Sequence, residues 1–308
     1  MQNPILRYTV YAVFFLFCLV FFTVQGFPIG VVQGRIEREA ERRLGMKMTT
    51  GQMEVLFPNG VEADNVRLMK PGREGQPGLA VLITRASGRV SLLGLLAGDV
   101  DVSFDAELLD GKVEGDLGLG GAAKTVDVEL HALDLSRLPV WQQLLGLPLT
   151  GKITGQVDLK LNPADIKSAA GSLALTLEQG ALGAGKIRGL STPPIRLGKT
   201  EANLVIDKGK AELKTFSVRS DDIEASLDGY LLLQPELAHT SARCTLRFKP
   251  SATFLSDNPK FNDIIQLSGM NRAKDGEGFF SYSVYGRLDH PTFRPHRGGS
   301  NSRTPGRR

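Results

Sequence analysis

Few residues of this chain stand at spacings that do chemistry. The closest to a nucleotide-binding signature is Gly180-Ala181-Leu182-Gly183-Ala184-Gly185-Lys186, which fits G-x-x-x-x-G-K. A phosphate loop also needs Ser or Thr after the lysine to hold magnesium, and a helix whose first amides face the phosphate. Here Ile187 follows the lysine, and Gly189, Pro193 and Pro194 interrupt any helix, so a glycine-rich β-turn is expected. Asp99, Asp101 and Asp105 offer carboxylates for calcium. Alternate positions of one strand spread them along a face, whereas a calcium loop closes its ligands round the ion. His131, His239, His290 and His296 have no second His or Cys at metal-ligand spacing, and no G-x-S-x-G nucleophile elbow occurs. No catalytic residue, metal ligand or cofactor is assigned. The chain is expected to act by contact or carriage and not as an enzyme.

The elements that carry these residues are mostly strands. Val100, Val102, Phe104, Ala106 and Leu108 alternate with Asp101, Ser103, Asp105 and Glu107. Period-two alternation of this kind gives a strand one dry and one wet face. The pattern recurs with Ile153, Val157 and Leu159; with Leu173, Leu175 and Leu177; with Ala242, Cys244, Leu246 and Phe248; and with Phe280, Tyr282 and Val284. The candidate apolar face is therefore Val100, Val102, Phe104, Ile153, Val157, Leu159, Leu246, Phe248, Tyr282 and Val284. Pro58-Asn59-Gly60 predicts a hairpin turn. Helix is expected only in short pieces, at residues 91–97, 138–145 and 252–267. About a dozen strands with so little helix predict a mainly β fold, a meandering antiparallel sheet whose dry faces need a cover. A second sheet would make a sandwich, and a bound apolar ligand would make a groove. Helices are too scarce to cover it all.

One segment is unlike the rest. Residues 8–27, YTVYAVFFLFCLVFFTVQGF, carry no charge. About 20 apolar residues at ~1.5 Å rise span a ~30 Å hydrocarbon core. Tyr8, Tyr11, Phe14, Phe17, Phe21 and Phe27 supply an aromatic-rich anchor. A cleaved signal peptide would have a shorter apolar run and a small-x-small cleavage site. Arg7 flanks the run on one side, and Arg35, Arg38, Arg42, Arg43 and Lys47 flank it on the other. Counted naively, the positive-inside rule puts the body in the cytoplasm, though Glu37, Glu39 and Glu41 interleave with those bases. The flank itself reads as a helix stopped by Gly45.

At 308 residues and 42 % hydrophobic content the chain can bury a core. Much of its net charge of +4 sits in a Gly-, Ser- and Pro-rich tail holding Arg294, Arg297, Arg303, Arg307 and Arg308. That composition predicts disorder. No basic face studded with aromatics accompanies the charge, so nucleic acid is not an expected partner. Of the two cysteines, Cys18 lies in the apolar run and Cys244 on the dry row of a strand, where it reads as a small core residue.

In order along the chain stand the apolar run, the basic flank, Thr50-Gly51-Gln52-Met53-Glu54-Val55 and Phe57-Pro58-Asn59-Gly60. Ser91-Leu92-Leu93 and Gly98 come next, then the Leu138-Pro139 and Leu145-Gly146-Leu147-Pro148-Leu149-Thr150-Gly151 segment, and last Tyr282-Ser283-Val284-Tyr285-Gly286-Arg287-Leu288 with Pro291. This series resembles the type II secretion system protein N family in its long, delta-proteobacterial form, and shares its pattern with AsmA-like envelope proteins. The resemblance covers about residues 5–292. It implies a single-pass protein of the bacterial inner membrane. Residues 1–30 would form a cytoplasmic stub and transmembrane anchor, 31–48 a membrane-proximal helix, 49–291 a periplasmic β-rich body and 292–308 a disordered basic tail. It implies an accessory role in secretion, with other secretion subunits (the inner-membrane platform or the secretin) as partners. The alternative is an AsmA-like lipid carrier with phospholipid in an apolar β groove.

Overall fold

The computed structural model describes residues 29–70, 78–121, 123–138, 141–142, 146–162, 164–187, 190–235, 239–267, 270–288 and 290–296. The first described element is α1 (Ile29–Leu44), followed by β1 (Lys47–Thr49), β2 (Met53–Leu56), β3 (Gly60–Lys70) and β4 (Leu79–Val90). After the short α2 (Leu92–Ala97) come β5 (Asp101–Leu108), β6 (Gly111–Gly118), β7 (Lys124–Asp134), β8 (Leu149–Leu161) and β9 (Ala170–Leu182). A small hairpin, β10 (Gly185–Ile187) and β11 (Leu190–Thr192), precedes β12 (Ile195–Asp207), β13 (Lys210–Arg219), β14 (Ile223–Leu232) and β15 (Ser241–Pro250). Two helices, α3 (Ala252–Asp257) and α4 (Pro259–Leu267), lead to β16 (Phe280–Arg287) and β17 (Thr292–Pro295).

All strands except the small hairpin join one 15-stranded antiparallel sheet. Its order follows the sequence, since each strand lies beside the next; β1 and β2 both pair β3, and β9 reaches β12 past the small hairpin. Antiparallel neighbours need only short links, and the alternating pattern has one dry face for each strand, so a meander is the economical outcome.

Local signals set the breaks. Ser91 accepts the amide of Gly94 at 3.1 Å and Gly98, at φ 86°, closes α2. Ser251 accepts the amide of Phe254 at 3.1 Å to start α3, and Pro259 opens α4, where its missing N–H costs nothing. The expected hairpin joins β2 to β3 with Leu56 opposite Gly60. Gly45, at φ 61°, ends α1, which folds back on the first strand. There Glu37 accepts the hydroxyl of Thr50 at 2.8 Å and its amide at 3.2 Å.

Several expectations lie beyond the described residues. The 8–27 run, with Tyr8, Tyr11, Phe14, Phe17, Phe21 and Phe27, is among them, as are residues 297–308. Among the described residues no helix is long and apolar enough to cross a membrane. Of the expected 138–145 helix, only residues 141–142 are described as helical. One boundary moves: β17 pairs with β16 through Tyr285 opposite Thr292 and Tyr282 opposite Pro295, so the sheet continues past residue 291 into the expected tail.

Candidate functional site

The register turns the separate dry rows into one surface. Residues directly opposite in an antiparallel ladder share a face. Followed from strand to strand, one such row runs Val55, Val61, Gly88, Phe104, Gly115, Val128, Val157, Leu173, Leu204, Leu213, Gly229, Cys244, Val284 and Phe293. Fourteen strands contribute, and every member is apolar or glycine. A second row beside it takes in Val90, Val102, Leu117, Val126, Leu159 and Gly171.

This face is unevenly covered. Toward the C-terminus Phe254 of α3, Ile265 of α4, Ala273 and Phe280 are buried, while the turn before β16 lies against the polar side, where Asp275 and Glu277 reach Arg247. Phe254 meets Phe261 edge-on at 5.8 Å, and the Phe248 ring stacks with Phe280 at 5.4 Å and Tyr282 at 6.2 Å. From β5 to β9, among the described residues, no helix closes over the middle of the face; only at one end, where Leu133 opposite Ile153 and Leu135 just after β7 are buried, is it covered. Val102, Phe104, Val113, Leu117, Val126, Val128, Leu130, Val157, Leu159, Leu173 and Leu175 are all half-buried and none is buried. Their polar neighbours Ser103, Asp116, Asp127, Asp158 and Ser172, one row over on the other side, are exposed.

Of the expected face residues, Val102, Phe104, Ile153, Val157, Leu159, Leu246, Phe248, Tyr282 and Val284 are half-buried on this one surface. Leu246 pairs Tyr282, and burial pushes the Tyr282 phenol up from its usual pKa. Val100 lies just before β5 and is exposed at the sheet end. Cys244 is buried in the row, and burial pushes its thiol up.

The polar face holds what ionic chemistry there is. The Gly180–Lys186 segment runs from the end of β9 through a bend at Ala184 into β10, so strand, and neither a β-turn nor a helix, follows the glycines. Asp105 does not join a calcium set; Lys112 Nζ sits 2.7 Å from it and 2.6 Å from Glu114. That ammonium holds the Glu114 carboxyl below the usual carboxylate range. Glu114, Glu129 and His131 do converge, with one ligand atom each within 4.8 Å of one another. Sequence spacing conceals the trio, because it comes from alternate positions on two paired strands. The group is largely solvated and already has Lys112 as its cation. Between the small hairpin and α4 lies a cleft of about 560 Å³ lined by residues such as Thr192, Pro193, Pro259, Phe261 and Ile264.

Asp222 is the one buried carboxylate among the described residues, and it locks the β12 and β14 starts together. It accepts the Arg196 amide at 2.8 Å and the guanidinium through Nη2 at 2.5 Å. The guanidinium holds the Asp222 carboxyl below its usual range.

No family model, curated protein or solved structure matches this chain.

Proposed function

We propose that this protein is a membrane-tethered β-trough whose apolar face takes the acyl chains of phospholipid. The carrying observation is the unbroken apolar row over fourteen strands, which from β5 to β9 is half-buried and, among the described residues, has no lid over its middle. On a flat, uncovered sheet, large side chains of both faces would be comparably exposed. From β5 to β9 the polar face is the more exposed of the two, which fits a sheet curled toward its apolar side so that the rows shield one another. Glycines at Gly115, Gly155 and Gly171 within these rows allow such curling. Each methylene that leaves water for this face contributes about 0.8 kcal/mol, so an acyl chain is a well-matched cover. The anchor expected at 8–27 would hold the trough at the bacterial inner membrane, and the resemblance to secretion and AsmA-like envelope proteins favours a periplasmic body.

The test is native mass spectrometry of the full chain released from mild detergent. Phospholipid adducts are expected, and Leu173→Asp, in the middle of the row, should remove most of them. A folded protein free of lipid would overturn the reading.

A second reading rests on β17. All four of its residues are exposed, and its outer edge is a template for strand addition. This favours contact with a type II secretion subunit, the role implied by the resemblance. Co-purification in mild detergent should recover such a subunit, and recovery no better than background would count against it.

A further inference from the structure

Thirteen large apolar side chains are exposed among the described residues, and all but Met69, Leu82 and Phe293 lie toward one end of the sheet. The densest part of this apolar surface is α2, where Leu93 is 80 % and Leu96 85 % exposed and Leu92 and Leu95 stand about half out. Phe57 in the first hairpin turn and Leu119 after β6 flank it. Backbone bonds tie these turns into one rim: Val90 N–H to Asn59 O at 3.0 Å, Ser91 N–H to Asp101 O at 2.8 Å and Leu119 N–H to Val100 O at 2.7 Å. Asp99, Asp101 and Lys124 stand among these turns, with Lys124 donating to the Leu119 and Gly121 carbonyls, and the leucines of α2 project beside them. A six-residue helix with leucine on all sides buries none of its residues, which an aqueous surface does not explain.

The chain's own connectivity says what covers it. α1 turns back at Gly45 and lies along β1 and β2, with Gln33 and Glu37 both at Thr50. β1 and β2 run toward Phe57, so α1, antiparallel to them, has its first residue directed toward the same rim. The uncharged 8–27 run ends two residues before Ile29. The segment best suited to a bilayer therefore joins the body on the side of the most exposed leucines.

We propose that this rim rests in the interfacial layer of the membrane beside the anchor, with α2 dipping its leucines among the lipid acyl chains. The trough would then open directly onto the lipid it takes. The inference rests on the tether and trough reading above, and its occupant is the lipid surface itself.

The test uses the full chain with Cys18→Ser, reconstituted in phosphatidylethanolamine–phosphatidylglycerol vesicles that contain lipids spin-labelled on the acyl chain. An environment-sensitive fluorophore is placed by Leu93→Cys or Leu96→Cys, and for comparison by Asp127→Cys on the polar face and Asp263→Cys at the far end. Buried Cys244 is not expected to label. All four sites are exposed, so the fold should survive, and circular dichroism checks it. Quenching at 93 and 96 should exceed that at 127 and 263 by about twofold or more. Vesicle flotation separates the two ideas. A chain that floats but shows equal quenching at all sites overturns the rim placement and leaves the tether intact. A chain that does not float overturns both. Lipid adducts in the native spectrum report on the trough alone.

Discussion

At the scale of single residues, this protein invests its best-made polar contact in architecture. Asp222 is buried and held by both the backbone and the guanidinium of Arg196, an arrangement that costs about 1–3 kcal/mol to break when one partner is removed. Asp222→Asn should therefore destabilise the fold by about that amount at neutral pH, read by urea denaturation. The sign with pH follows from the depressed carboxyl. The folded state favours the ionised form, so the contribution is complete above the unfolded carboxyl pKa of about 3.9 and fades as pH falls through the lower folded value. The gap between wild type and the variant should be constant above about pH 5 and narrow below about pH 4. A gap unchanged down to acid unfolding would show that the charge of Asp222 contributes nothing. The Glu114, Glu129 and His131 trio is the converse case, in which ionisable groups meet without burial and are neutralised by a neighbouring lysine.

At the scale of elements, glycine separates positions that shape the sheet from positions that merely occupy it. Gly171 has a φ of 149°, and a Cβ there would come within 2.1 Å of the Asp158 carbonyl oxygen. Gly88 belongs to the same apolar face, yet a Cβ there meets nothing within 4 Å. Gly171→Ala is expected to cost about 2 kcal/mol or more, because backbone must move on the paired strand. Gly88→Ala should lie within about 0.5 kcal/mol of wild type. Similar losses at both positions would show that strand propensity, and not close approach, governs these sites. The edges differ as well. α1 lies along the first edge, whereas β17 leaves a four-residue edge exposed, enough for a short added strand, with Pro295 setting the limit of its length.

For the whole molecule, a half-exposed apolar face is a standing stability deficit that the lipid proposed above would relieve. Anything bound only by the folded state raises its stability in proportion to the logarithm of its concentration over Kd. Soluble short-chain phospholipid should accordingly raise the Tm of the full chain by several degrees near saturation, and Leu173→Asp should lose most of the increment. An equal increment in both proteins would point to lipid acting elsewhere than on the trough. Fourteen strands at ~4.8 Å extend the face over roughly 60 Å, long enough to seat acyl chains across several strands.

Period-two alternation along Val102–Leu108 or Ile153–Leu161 was enough to give strands, their faces and the all-antiparallel class, because a strand's side-chain direction is a local property. The short helix within 91–97 and the hairpin at Asn59-Gly60 were legible for the same reason. Register was not, since it depends on partners far away in sequence. Only the paired strands align Phe104, Val157, Leu204 and Val284 in one row, gather Glu114, Glu129 and His131 on the opposite side, and bring Asp222 to Arg196. The sequence thus determined that each strand has a dry side. The tertiary structure decided that those sides form a single surface and how much of it is covered, because both follow from which residues become neighbours across the sheet.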